Sequence, residues 1–79
     1  MNLDELINYI KKNVDEGDFI EIHAGRVMVE GYLEKFDEGY IKISHEKFGY
    51  LEFELENIFD DLLEFVHIKE GKRIVIKFY

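Results

Sequence analysis

Residues 31–43 read GYLEKFDEGYIKI. On both sides of Asp37-Glu38-Gly39 the apolar period is two. Val27, Val29, Gly31 and Leu33 alternate with Met28, Glu30, Tyr32 and Glu34, and beyond the turn Ile41 and Ile43 alternate with Tyr40, Lys42 and Ser44. Alternation of this kind marks half-buried antiparallel strands, and a short Gly-containing loop between two such runs marks a hairpin. Three residues ending in Gly suit a type I turn followed by a bulge, with Gly in the left-handed conformation. Gly31 interrupts its strand from within, where a residue without Cβ permits sheet to bend sharply. A hairpin with a bend in its first arm predicts a sheet that curls on itself.

The rest of the chain repeats the theme. Strands are expected at about 18–23, 26–36, 40–45, 50–55, 65–69 and 73–78, with further Gly turns at His23-Ala24-Gly25 and Lys69-Glu70-Gly71 and a looser one at Glu46-Lys47-Phe48-Gly49. One segment has another period. Leu3, Leu6, Ile7, Ile10 and Val14 form a stripe at helical spacing, which predicts a helix over about 2–16. Asn2 and Glu5 stand in capping-box register, and Gly17 takes the stop position. Ile58, Phe59, Leu62 and Leu63 suggest a short helix or 3₁₀ turn over about 57–63. The expected fold is mainly β in the α+β class: one domain over residues 1–79, an N-terminal helix followed by a small, strongly bent antiparallel sheet or barrel.

Composition narrows the function. The formal net charge is −8, from 18 acidic and 10 basic residues. Phosphate contacts need clustered Lys and Arg, so duplex DNA is not an expected partner. There is no Cys, which excludes disulfides and thiolate metal sites. No apolar run reaches the roughly 20 residues of a membrane span, no signal peptide is evident, and a cytoplasmic protein without membrane contact is expected. Abundant Lys, Glu and Ile, with no Gln, Thr, Pro or Trp, resembles the bias of proteins from heat-loving organisms.

The layout and a short motif resemble the Sm-like family, in which a helix precedes a bent five-stranded, SH3-like barrel. The first motif of that family runs G-x-L-x-x-F-D, and Gly31, Leu33, Phe36 and Asp37 match it in register. Its second motif places an aliphatic residue, a basic residue and Gly before the last strand; Ile68, Lys69 and Gly71 are similar, with Glu70 inserted. The resemblance implies RNA binding through the turn near Asp37 and Tyr40 and through the hairpin at Lys69 to Arg73. The Asn that reads a base in that family has no counterpart after Asp37, where Tyr40-Ile41 follows.

Catalytic and metal chemistry find little footing. His23, His45 and His67 form no i, i+2 or i, i+4 pair and read as surface or edge residues. Asp60, Asp61 and Glu64 read as the solvated face of a short helix. No nucleophile or acid–base pair can be nominated, so no catalytic residue, metal or cofactor is expected. Two groups remain. Lys69, Lys72, Arg73 and Lys77 form a basic cluster that, with Asp37 and Tyr40, makes a candidate anion or RNA contact. Phe19, Met28, Tyr32, Tyr40 and Tyr50 lie opposite the aliphatic face. Some of them are expected beneath the helix, and the rest would form an interface, since Tyr and Met are favoured there. The expected function is a non-catalytic binding or assembly module, a homo-oligomer or the partner of another protein. The alternative is an Sm-like RNA binder, and an enzyme comes third.

Overall fold

The computed structural model describes residues 1–79. The helix α1 (Leu3–Asn13) starts on the expected signal: the Asn2 side chain accepts from the Glu5 amide at 2.8 Å, and the Glu5 carboxylate accepts from the Asn2 amide at 3.1 Å. Asp4 and Glu5 at its start and Lys11 and Lys12 at its end complement the helix dipole. It ends at Asn13, three residues before the expected 16. Val14 is extended, and residues 15–18 form a tight turn in which the Asp18 amide donates to the Asp15 carbonyl at 3.0 Å. The turn is held against the sheet: the Gly17 amide donates to the Leu33 carbonyl at 2.8 Å, and the Leu33 amide to the Asp18 carbonyl at 2.9 Å. Those two tertiary bonds outcompete another helical turn, so Gly17 serves a β-turn and not a helix stop.

Six strands follow: β1 (Phe19–Ala24), β2 (Val27–Asp37), β3 (Tyr40–His45), β4 (Gly49–Glu54), β5 (Leu62–Lys69) and β6 (Lys72–Lys77). All pairings are antiparallel, in the order β4-β3-β2-β1-β5-β6. The fold class is the expected one, a helix before a mainly β, curled sheet. Between β4 and β5 the helical segment is two 3₁₀ turns, Leu55–Asn57 and Phe59–Asp61, and β5 begins at Leu62 and not near 65. Ala24 pairs with Leu62 across a bulge, and the Gly25 amide reaches the Asp61 carbonyl at 2.9 Å. The full length of β1 needs a ladder partner, which recruits Leu62 and Leu63 from the apparent helical stripe.

The turns are tighter than the spacing suggests. Asp37 pairs with Tyr40 and Lys69 with Lys72, leaving two-residue loops. Their φ angles are +48° and +104° at Glu38 and Gly39, and +52° and +78° at Glu70 and Gly71. Two successive positive φ values define a type I′ turn, whose twist matches that of the flanking strands. The first hairpin is likewise a two-residue turn, Gly25-Arg26, closed by the Ala24–Val27 pair, so His23 and Ala24 belong to β1.

β2 bends twice. A register shift between Leu33 and Lys35 leaves Glu34 as an extra residue against β3, and bulges of this sort bend a strand. At Gly31 the backbone of β3 comes so close that an added Cβ would lie 2.3 Å from the Ser44 carbonyl oxygen and 2.4 Å from Cγ2 of Ile43. The bends wrap the sheet around one core. Ile20, Ile22, Leu33, Ile41, Ile43 and Phe65 point into it from the strands, and Leu6 and Ile10 of α1, with Val14 just after it, close it from the helix side.

Candidate functional site

The helix packs on the aliphatic face of the sheet, so the opposite face has no layer over it. None of the five interface candidates therefore lies beneath α1. Across the outer face, cross-strand partners place Tyr50, Ser44, Tyr32, Phe19, Ile68 and Arg73 in one row spanning all six strands. Phe19, Tyr32 and Tyr50 are thus brought together, with Phe19 and Tyr32 edge to face at 5.4 Å between ring centroids. Met28 lies in a different row opposite His23, and Tyr40 sits at the hairpin end opposite Asp37 and Glu54. Met28 is 49 % exposed, Tyr32 44 % and Tyr50 62 %.

Beside this row the β3–β4 loop raises Phe48, 72 % exposed, which stacks on His45 at 4.8 Å. Nδ1 of His45 accepts from the amides of Lys47 and Phe48 at 3.0 and 3.3 Å, which pins the ring in place. Gly31 and Ser44 form the floor, Phe19 and Tyr32 one wall and the loop the other, enclosing an open cleft of about 390 Å³. Glu30, Glu46 and Lys47 complete its rim. Neither Phe48 nor Glu30 stands out in sequence. The available signal was a large aromatic in a four-residue turn, where nothing in the hairpin requires one.

Two of the four cations in the basic cluster are ion-paired. Lys69 is paired with Asp15 and lies 3.6 Å from Asp18. Arg73 Nη1 and Nη2 donate to the two Glu21 carboxylate oxygens, at 2.7 and 3.3 Å. These partners hold the Glu21 carboxyl below its ordinary range: the Arg73 hydrogen bonds come first and the His23 contact adds to them, against a smaller opposing effect of burial. Lys77 lies 5.8 Å from the Tyr79 ring, and Lys72 makes no ion pair. Asp37 and Tyr40 belong to the β2–β3 hairpin, with β1 between it and the β5–β6 hairpin. The six residues expected as one anion contact therefore do not form one. Tyr40 has its phenol pushed up by burial and by the carboxylates of Glu52 and Glu54.

His67 departs furthest from expectation. It is no surface histidine: it is 1 % exposed, the one buried polar side chain. Its Nε2 lies 2.9 Å from an Asp18 carboxylate oxygen and its Nδ1 3.2 Å from the Tyr9 hydroxyl. An ionised carboxylate only accepts, so Nε2 carries a proton, and in the neutral ring Nδ1 then accepts from Tyr9. Burial pushes the Asp18 carboxyl up, but the Asp15 amide, the His67 ring and the Lys69 ammonium outweigh it and hold the group below its ordinary value. Burial raises the Tyr9 phenol. With both ring nitrogens occupied, His67 serves as a tie between α1, the 15–18 turn and β5. The three histidines go to three separate places, and no cluster of three metal-ligating side chains forms.

A family described as "Uncharacterized protein conserved in archaea (DUF2097)" matches residues 1–77. The chain belongs to that family. It is similar to the protein named "Uncharacterized protein MJ0540" of Methanocaldococcus jannaschii, with 47 % identity over 78 residues, covering 99 % of this chain and 91 % of the relative. No solved structure matches the chain. For this family member the matched region takes in α1, the whole sheet and both sides of the cleft. No helix is long and apolar enough to cross a membrane.

Proposed function

We propose that the protein is a non-catalytic assembly module that associates with copies of itself through the two open edges of its sheet. One observation carries this reading. The sheet ends in β4 on one side and β6 on the other, and the two edges are opposite in charge. β4 (GYLEFE) carries Glu52 and Glu54 and no basic residue, while β6 (KRIVIK) carries Lys72 and Lys77 outside any ion pair, Arg73 paired with Glu21, and no acidic residue. Unpaired edges expose backbone donors and acceptors that a further strand can satisfy. Ile74 and Val75 are exposed on β6 and Tyr50 on β4, so the contact would also bury apolar surface. Pairing β6 of one copy with β4 of the next is head-to-tail, and such contacts close into rings or grow as filaments.

The RNA reading has less support, because Lys69 and Arg73 already serve Asp15, Asp18 and Glu21. Light scattering coupled to gel filtration tests the assembly. At low salt the mass is expected at a multiple of the 9.5 kDa chain, falling in about 1 M salt, where the screening length is roughly 3 Å. Lys77→Glu and Glu52→Lys are each expected to weaken association, and an equimolar mixture of the two variants to restore part of it. A clean monomer at high concentration and low salt removes the proposal.

A further inference from the structure

The cleft between the Phe19–Tyr32 wall and the β3–β4 loop combines aromatic faces with a carboxylate that has no partner. Glu30 is half-buried at the cleft edge and makes no hydrogen bond or ion pair within the chain. It stands directly opposite Glu21 across the β1–β2 ladder, and like charges so placed repel. Glu21 is relieved by Arg73 and His23, whereas Glu30 is relieved by nothing. Glu46 adds a second carboxylate on the other rim.

The rings around it pack on one another and on His45, but none has a cation over it. Elsewhere this chain places its own ammonium groups over tyrosines: Lys35 over Tyr40 at 5.9 Å, Lys42 over Tyr50 at 4.6 Å and Lys77 over Tyr79 at 5.8 Å. Phe19, Tyr32 and Phe48 have no such partner, although Tyr32 and Phe48 are exposed. A ring face attracts cations through its quadrupole. The net charge of −8 raises the local concentration of any cation near the surface.

We propose that this cleft binds an organic ammonium ion, held against Tyr32, Phe19 and Phe48 with Glu30 as counter-ion and Glu46 beside it. Phe19 and Tyr32 are fixed edge to face, and His45 backs Phe48, so the rings are set before the ligand arrives. The single Lys on the rim, Lys47, is exposed and makes no ion pair with Glu30 or Glu46. The same chemistry is offered by a free polyamine and by a lysine side chain of a partner protein. The site is independent of the β4 and β6 edges, so its failure would leave the assembly reading standing.

The test is a titration followed by amide and aromatic NMR shifts, using tetramethylammonium, spermidine and a blocked Gly-Lys-Gly peptide, with tert-butanol as neutral control. Saturable shifts are expected at Tyr32, His45 and Phe48 with the cations and not with the alcohol. Tighter binding of spermidine assigns the site to free polyamines, and tighter binding of the peptide assigns it to a lysine side chain; either supports the ammonium site. Glu30→Gln is expected to weaken binding about tenfold, and Tyr32→Ala by a similar factor. Glu30→Gln removes a repelled carboxylate, so its melting point is expected at or above that of the parent, which separates lost binding from lost fold. No saturable shift with any of the three cations overturns the proposal. So does equal binding of tert-butanol, or undiminished binding by Glu30→Gln.

Discussion

At Gly31 the strand β2 passes so near β3 that one methyl group has no room: the Ser44 carbonyl and Ile43 Cγ2 would both lie within 2.4 Å of it. Backbone cannot move aside as a flexible side-chain tip can, so the bend depends on this residue more than on any other in the strand. Gly31→Ala is expected to cost about 3 kcal/mol, at the upper end for an overpacked site, read as a lower urea midpoint at unchanged slope. An unchanged midpoint would mean that the bend at Glu34 alone carries the curl. The neighbour Glu30 shows the opposite: its carboxylate has no hydrogen-bond or ion-pair partner within the fold.

At the scale of elements, the hairpins hold a cost that the sequence could have avoided. Glu38 and Glu70 both sit at positive φ, a region that costs an ordinary L-residue about 1 kcal/mol. Asn-Gly is the preferred pair for such turns. Glu38 partly recovers the cost through its 2.8 Å contact with Lys11 on α1, whereas Glu70 makes no hydrogen bond or ion pair. Glu70→Asn is therefore expected to stabilise the chain by about 0.5 kcal/mol, seen as a small rise in melting temperature. A fall would show that the turn has a different conformation in solution. The helix behaves conversely: its capping box is complete at Asn2 and Glu5, and at its C-terminal end the Asn13 side-chain Nδ2 donates to the Tyr9 carbonyl at 3.1 Å.

For the whole molecule, two acidic residues tie distant segments together. Asp18 links the turn after α1 to β5 through His67 and Lys69, and Glu21 links β1 to β6 through Arg73. Both carboxyls are held below their ordinary values of 3.8 and 4.5. A carboxylate with a lowered folded pKa adds stability above its unfolded value and loses it as pH falls through the folded one. The melting temperature is thus expected to be level near neutral pH and to fall once the pH drops below about 4.5. Asp18→Asn, which leaves the buried His67 without its carboxylate, is expected to lose about 2 kcal/mol at pH 7 and to flatten the acid slope. Parallel acid profiles for variant and parent would mean that the Asp18–His67 contact adds nothing.

Local signals determined much of this. Period-two alternation, Gly at hairpin turns and a capped apolar stripe each depend on residues a few positions apart, so the helix start, the strands and the bent-sheet class were legible in the chain. What escaped depended on residues far apart. The helix end at Asn13 follows from Gly17 and Asp18 bonding to Leu33, and the early start of β5 from the length of β1. His67 looked like an edge residue because its partners, Tyr9 and Asp18, lie 58 and 49 positions away. Lys69 and Arg73 looked free because Asp15, Asp18 and Glu21 reach them only through the fold. Which face α1 covers was also a tertiary decision. Both sheet faces offered it apolar surface, and closing the aliphatic one into a single core left the aromatic row, with its cleft, to the solvent.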